Sequence, residues 1–219
     1  MKSREEYVFA KINHLAICSD YYATNARFYQ ALFGMKASNN PRPARAVPVG
    51  DGQIGLNNIP RRDGRRSGLD HLGFEVASMQ QALERIKKFD PSLSYVQRPA
   101  VRPNAAFNAH DPDMIIFDLA ERDSGKAQDI FAENRGEMPK RYIDHVVLRS
   151  RQPERSAEFY STVFEMQLAN DTQDYWKLSD GRVSLVILPW TMNNFIGHDP
   201  MPPMLEHFGF KVESVDAIK

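Results

Sequence analysis

With a single cysteine, Cys18, the chain cannot build an internal disulfide framework. That residue falls on an apolar strand pattern and reads as a small buried side chain. Net charge is also absent. The 28 Lys+Arg residues equal the 28 Asp+Glu residues, which removes any bulk attraction to nucleic acid or anionic membrane. No apolar run approaches the ~18 residues that a membrane-spanning helix needs. Met1-Lys2-Ser3-Arg4-Glu5-Glu6 lacks the apolar centre of a signal peptide. There is no P-loop, no dinucleotide fingerprint and no Ser-His-Asp order. What is present is 42% hydrophobic residues over 219 positions, enough for one or two domains with their own cores. A cytoplasmic location is expected, with a small-molecule substrate, no nucleic-acid or membrane partner, and homo-oligomerisation compatible with the chain.

One short pattern organises the rest. Leu69-Asp70-His71-Leu72-Gly73-Phe74-Glu75-Val76 returns as Leu205-Glu206-His207-Phe208-Gly209-Phe210-Lys211-Val212. Looser relatives are Ile12-Asn13-His14-Leu15-Ala16-Ile17 and Ile143-Asp144-His145-Val146-Val147-Leu148. Four of the six histidines therefore occupy one place in a repeated unit. The correspondence extends further: Phe28-Tyr29 matches Phe159-Tyr160, Phe33 matches Phe164, Met35 matches Met166, and Asp51-Gly52 matches Asp180-Gly181. Self-similarity of this kind indicates duplicated structural modules.

Each unit begins with an alternating apolar strand. In the first, Ser19 or Asp20 is placed to cap a helix through Ala26, Tyr29, Leu32 and Phe33, and Gly34 to stop it. Three strands follow, with Asp51-Gly52 as a hairpin turn between the last two. In the second, Ser78 caps a helix that Asp90-Pro91 ends, and three more strands close the unit. Residues 121–140 are polar and read as a linker, with a short helix around 127–134. The third unit repeats the order, with a helix over roughly 154–164. The fourth begins at Met204 and stops as its helix would start. The expected fold is α+β: tandem βαβββ modules forming cup-shaped, curved mixed sheets. The first domain spans 8–121 (modules 8–61 and 68–121), the linker 122–140, and a C-terminally incomplete second domain 141–219.

This order of elements, with its four histidine strands and Asp111-Pro112-Asp113 before Ile115-Ile116-Phe117-Asp118-Leu119, resembles the vicinal oxygen chelate superfamily. That group includes glyoxalase I, extradiol dioxygenases and bleomycin-binding proteins. The resemblance implies a metal inside the cup, held from the first strand of each module and the last strand of one. In the first domain those positions are His14, His71 and Asp118; in the second they are His145 and His207, whose carboxylate partner is missing. Glyoxalase I adds a glutamate where this sequence has Gly55, with Ser184 the counterpart in the second half. The acid/base histidine of extradiol dioxygenases falls on Val183-Ser184, leaving His198 as the alternative.

Two imidazoles and one carboxylate on one face suit non-haem Fe(II), and Mn, Zn or Ni fit the same donors. Alternation on 115–119 puts Phe117 and Leu119 on one face and Asp118 on the other. The same rule sends Asp70 and Asp144 away from their histidines. His110 reads as a turn residue near the cup rim, Arg61–Arg66 as a solvated basic loop, and one of Asn57 and Asn58 as facing the cup. The resemblance implies an extradiol-type ring-cleaving dioxygenase. A redox-neutral glyoxalase, lyase or isomerase and a non-catalytic binding protein of the bleomycin-resistance kind are the alternatives.

Overall fold

The computed structural model describes residues 9–37, 46–99, 104–122, 139–171, 174–192 and 202–218. The first module comprises β1 (Ala10–Ser19), α1 (Tyr22–Phe33), β2 (Lys36–Ala37), β3 (Val47–Gly50) and β4 (Gly55–Pro60). The same order recurs as β5 (Gly68–Val76), α2 (Met79–Phe89), β6 (Tyr95–Gln97), β7 (Phe107–His110) and β8 (Ile116–Glu121). It comes a third time as β9 (Tyr142–Ser150), α3 (Pro153–Phe164), β10 (Gln167–Asp171), β11 (Trp176–Ser179) and β12 (Ser184–Pro189). β13 (Met204–Lys211) then stands where a fourth module opens. The strands form one sheet of order β2-β3-β4-β1-β5-β8-β7-β6 and a second of order β10-β11-β12-β9-β13. These are the curved mixed sheets of an α+β fold built from tandem βαβββ modules. The short helix expected around 127–134 lies outside the described residues.

Local chemistry accounts for some of the element ends. Gly34 stops α1 in the left-handed conformation at φ 69°, where a side chain would be strained. The Ser78 hydroxyl accepts the Gln81 N–H at the start of α2. The expected cap of α1 by Ser19 or Asp20 does not form. The N-cap position is Tyr21 and has no side-chain bond, because the Ser19 hydroxyl is taken by the Tyr21 N–H at 3.0 Å, ahead of the first turn.

The two halves exchange reciprocal contacts. Phe164 of α3 stacks on Phe74 of β5 with centroids 4.1 Å apart, and Phe33 of α1 stacks on Phe210 of β13 at 3.7 Å. Each stack joins one half to the other. Offset and parallel aromatic pairs add about 0.5–1.5 kcal/mol beyond their burial. The hairpin carboxylates do the same. Asp51 accepts the N–H groups of Gln53 and Ile54 through one oxygen and of Ile143, in the other half, through the second. Asp180 accepts those of Arg182 and Val183, and of Ile12 across the boundary. Burial pushes both pKa values up, against the backbone N–H bonds that pull each down.

Register sets the histidines. In the β1/β5 pair, Ile12 faces Phe74 and His14 faces Gly73, so Asn13 is the extra residue of a bulge. On β5, Leu69 faces Ile17 and His71 faces Ala16, so Asp70 is the extra residue there. The β9/β13 pair repeats both bulges, with Asp144 and Glu206 as the extra residues. A bulge turns two neighbouring residues toward one face. Strict alternation therefore fails at these four positions, and the expectation that Asp70 and Asp144 point away from their histidines is wrong.

Candidate metal centre

The inner face of the large sheet is assembled from registered neighbours. His14 lies opposite Gly55 on one side and Gly73 on the other; Gly73 lies opposite Asp118, and Asp118 opposite Asn108. One row thus carries His14 and Asp118, and the adjacent row carries Asn57, Ala16 and His71. Opposite this face, Leu72, Phe74, Phe117 and Leu119 are fully buried in the core. The expected alternation on β8 holds, and Asp118 points into the cup.

The three side chains converge. His71 Nε2 is 3.2 Å and His14 Nε2 3.7 Å from Asp118 Oδ2. One ligand atom from each of the three lies within 4.8 Å of the others, and no other such group occurs among the described residues. Three ligands each ~2.0–2.2 Å from a common ion would be separated by comparable distances, so the donor set fits a divalent metal in both chemistry and spacing. His71 is thus a close ion-pair partner of Asp118, while His14 Nε2 stands just beyond hydrogen-bond distance of the same oxygen. Burial, the largest influence on His71, opposes its protonation. Hydrogen bonds to Asp118 and Asp70 and their charges outweigh it and push the pKa up to about 9. Burial likewise opposes ionisation of Asp118, and the two histidines overcome it and hold the carboxyl well below the usual range.

A surrounding set orients these groups. His14 Nδ1 is 2.7 Å from Asn13 Oδ1, and His71 Nδ1 is 2.8 Å from Asp70 Oδ2. Asn108 Nδ2 donates to Asp118 Oδ1 at 3.0 Å, leaving Oδ2 toward the histidines. Gly73 is required by close approach, since a Cβ there would stand 2.0 Å from His14 Cε1. Asn57 is the cup-facing one of the expected pair; it is buried and its Oδ1 has no hydrogen-bond partner among the described residues. Asn58 turns to the other side, where its amide donates to Val47 and Leu56 carbonyls. The roles of Asn13, Asp70 and Asn108 were missed in the sequence. Two depend on bulges and the third on the β7/β8 register, none of which composition reveals.

The second pair has a similar frame but a different setting. His145 and His207 are edge-to-face with centroids 5.9 Å apart, against 5.6 Å for His14 and His71. His145 Nδ1 is 3.1 Å from Asp144 Oδ2. Glu206, however, is drawn to the buried Arg149 guanidinium at 3.0 Å and stays 3.8 Å from His207 Nδ1. Burial lowers the His207 pKa, helped by His145 and Arg149. No carboxylate joins this pair within the same spacing among the described residues. His198 lies outside the described residues. His110 sits at the end of β7, its ring nitrogens 3.1 Å from the Ser94 hydroxyl and the Asp111 carbonyl. In the basic loop, Arg61 pairs with Asp20 at 2.9 Å and Arg65 approaches Asp70 at 3.5 Å.

This fold and histidine–carboxylate centre define a class. The chain matches the Glyoxalase/Bleomycin resistance protein/Dioxygenase superfamily over residues 11–130 and 142–219, and it belongs to that superfamily. Solved structures share the fold. The Mn(II)-bound glyoxalase from Novosphingobium aromaticivorans is 16% identical with a TM-score of 0.69, the match covering 96% of this chain and 68% of that one. The 2,3-dioxygenase LapB from Pseudomonas sp. KL28 is 13% identical at TM-score 0.66, covering 94% and 76%. A xylose isomerase-like TIM barrel/4-hydroxyphenylpyruvate dioxygenase fusion protein is 14% identical at TM-score 0.64. There the match covers 96% of this chain but only 38% of the fusion. No curated protein sequence matches. No described helix is long and apolar enough to cross a membrane.

Proposed function

We propose that the protein is a metal-dependent enzyme whose centre is His14, His71 and Asp118, and that it acts as an extradiol-type dioxygenase on a small substrate bound through two vicinal oxygens. The convergence of two imidazole nitrogens and one carboxylate oxygen carries this reading. Such a facial set leaves the opposite positions open and is suited to Fe(II), with Mn, Zn and Ni as other divalent occupants. When bound, iron supplies Lewis acidity and activates dioxygen. The chain's own residues do the rest. Asp118 offsets positive charge, Asn108 holds its orientation, and Asn57 Oδ1 in the neighbouring row, without a partner among the described residues, receives a substrate hydroxyl. Gly55 supplies no carboxylate opposite His14, which favours the dioxygenase over the glyoxalase reading. His198 stays the proposed acid/base residue.

Metal analysis of the purified protein, with oxygen uptake on catechols, tests this. Iron with catechol-dependent oxygen consumption is expected; stoichiometric Zn or Ni without oxygen consumption overturns the dioxygenase. His71→Ala should abolish metal binding, and unchanged metal content in that variant overturns the centre itself. A second reading has one observation in its favour. Between α1 and β13 runs a groove of about 390 Å³ lined by Phe28, Tyr29, Phe33, Phe208 and Phe210. That volume falls within the ~300–1,000 Å³ of small-molecule sites. A non-catalytic binding protein would take planar aromatic compounds there equally well after metal is stripped.

A further inference from the structure

We infer that Asp70 and Asn13 are positioning residues that make Nε2 the metal-facing atom of His71 and His14, and that the β-bulge is the device that puts them there. The inference rests on the metal-centre reading above.

A regular strand would send the residue before each histidine to the opposite face. The bulge costs a ladder position, because its extra residue is left unpaired. At these sites it brings that residue's side chain alongside the ring. The result repeats within the molecule: Asn13 to His14 at 2.7 Å, Asp70 to His71 at 2.8 Å, and Asp144 to His145 at 3.1 Å. In each case the contact is at Nδ1. An oxygen there accepts the Nδ1–H, so the Nε2 lone pair is the one presented to the cup. It also opposes rotation of the ring.

The fourth bulge is an internal contrast. Glu206 has the same placement, yet Arg149 claims one of its oxygens and the other stays 3.8 Å from His207 Nδ1. His207 also keeps the greatest side-chain exposure of the four, 53% against 1% for His14. Clamped rings and a nearby carboxylate coincide in the first half, and among the described residues neither is complete in the second.

The two clamps differ in strength. Asn13 offers a neutral acceptor, whereas Asp70 offers a charged one, and charge-assisted bonds are roughly twice as strong. A carboxylate behind a ligating imidazole also raises its basicity toward a metal, and removing such a partner typically costs 10–100-fold in affinity. His71 is thus the stronger donor of the pair.

The test measures Mn(II) affinity by chelator competition in Asp70→Ala, Asp70→Asn, Asn13→Ala and His71→Ala, with Asp144→Ala as a matched change in the second half. Alongside it, NMR follows the exchange-protected His71 ring N–H in the Zn(II)-loaded protein, and melting temperatures follow the fold. Asp70→Ala should bind about 10–100-fold more weakly and lose the protected N–H. Asp70→Asn keeps an acceptor oxygen but not its charge, and should recover the protected N–H with an affinity between those of Asp70→Ala and the wild type. Asn13→Ala should lose less than Asp70→Ala, and Asp144→Ala should leave affinity unchanged. Wild-type affinity and a retained N–H in Asp70→Ala, while His71→Ala loses metal, overturn the positioning role alone. Retained metal in His71→Ala overturns the centre and this role with it.

Discussion

At the scale of single residues, the tightest constraint on the candidate centre is the absence of a side chain. Gly73 lies under the His14 ring, and Gly209 stands in the same relation to His145, where a Cβ would be 2.3 Å from Cε1. His14 is almost completely buried, so its ring cannot yield outward without leaving the cup. Gly73→Ala is expected to weaken metal binding at least as much as loss of Asp70, on the order of 10–100-fold. Gly209→Ala should leave it unchanged, and metal titration of both variants checks this. Asp118 was legible in the sequence because alternation on β8 is regular and its neighbours are apolar. Gly73 and Gly209 were visible as a repeat, but their reason is a contact between strands. Asp70 was misread because the period-two rule has no place for an extra residue, and a bulge leaves no mark in composition.

Among the elements, α3 is the one that ties the halves most closely. Tyr160 on α3 donates its hydroxyl to Asp111 Oδ2 at 2.9 Å, while Asp111 Oδ1 accepts the N–H groups of Asp113 and Ile115. Asp113 in turn accepts from the Ser150 and Ser156 hydroxyls and the Arg151 N–H at the start of that helix. Burial, against these hydrogen bonds, pushes the Asp111 pKa up to about 7. A folded-state pKa above the unfolded one favours folding fully below pH ~4, and that contribution is lost as pH rises through 7. In this window the wild type should lose about 1.4 kcal/mol per pH unit relative to Asp111→Asn, whose amide stays neutral. Urea unfolding of both proteins at pH 5, 6, 7 and 8 reads the difference; parallel curves would contradict it. The module order, the Gly34 stop, the Ser78 cap and both Asp-Gly hairpins were legible because they are local. The docking of α3 on β5 and β8 was not, since it joins residues far apart in the chain.

For the molecule as a whole, neither half satisfies its own hairpin carboxylate alone. Asp180→Ala leaves the buried N–H of Ile12 without its acceptor, along with those of Arg182 and Val183. An orphaned buried donor costs about 1–3 kcal/mol. A loss of at least ~2 kcal/mol should lower the melting temperature by roughly 4–8 °C, measured by calorimetry. Asp51→Ala should behave alike through Ile143, whereas a change confined to one variant would break the symmetry of the arrangement. The reciprocity also has a consequence in time. The Asp51 link closes 92 residues of chain and the Asp180 link 168. Contacts of such separation close late, after the loop entropy has been met. Their removal should therefore leave the refolding rate almost untouched and raise the unfolding rate. The two crossed carboxylates act on how long the assembled protein lasts more than on how fast it is made.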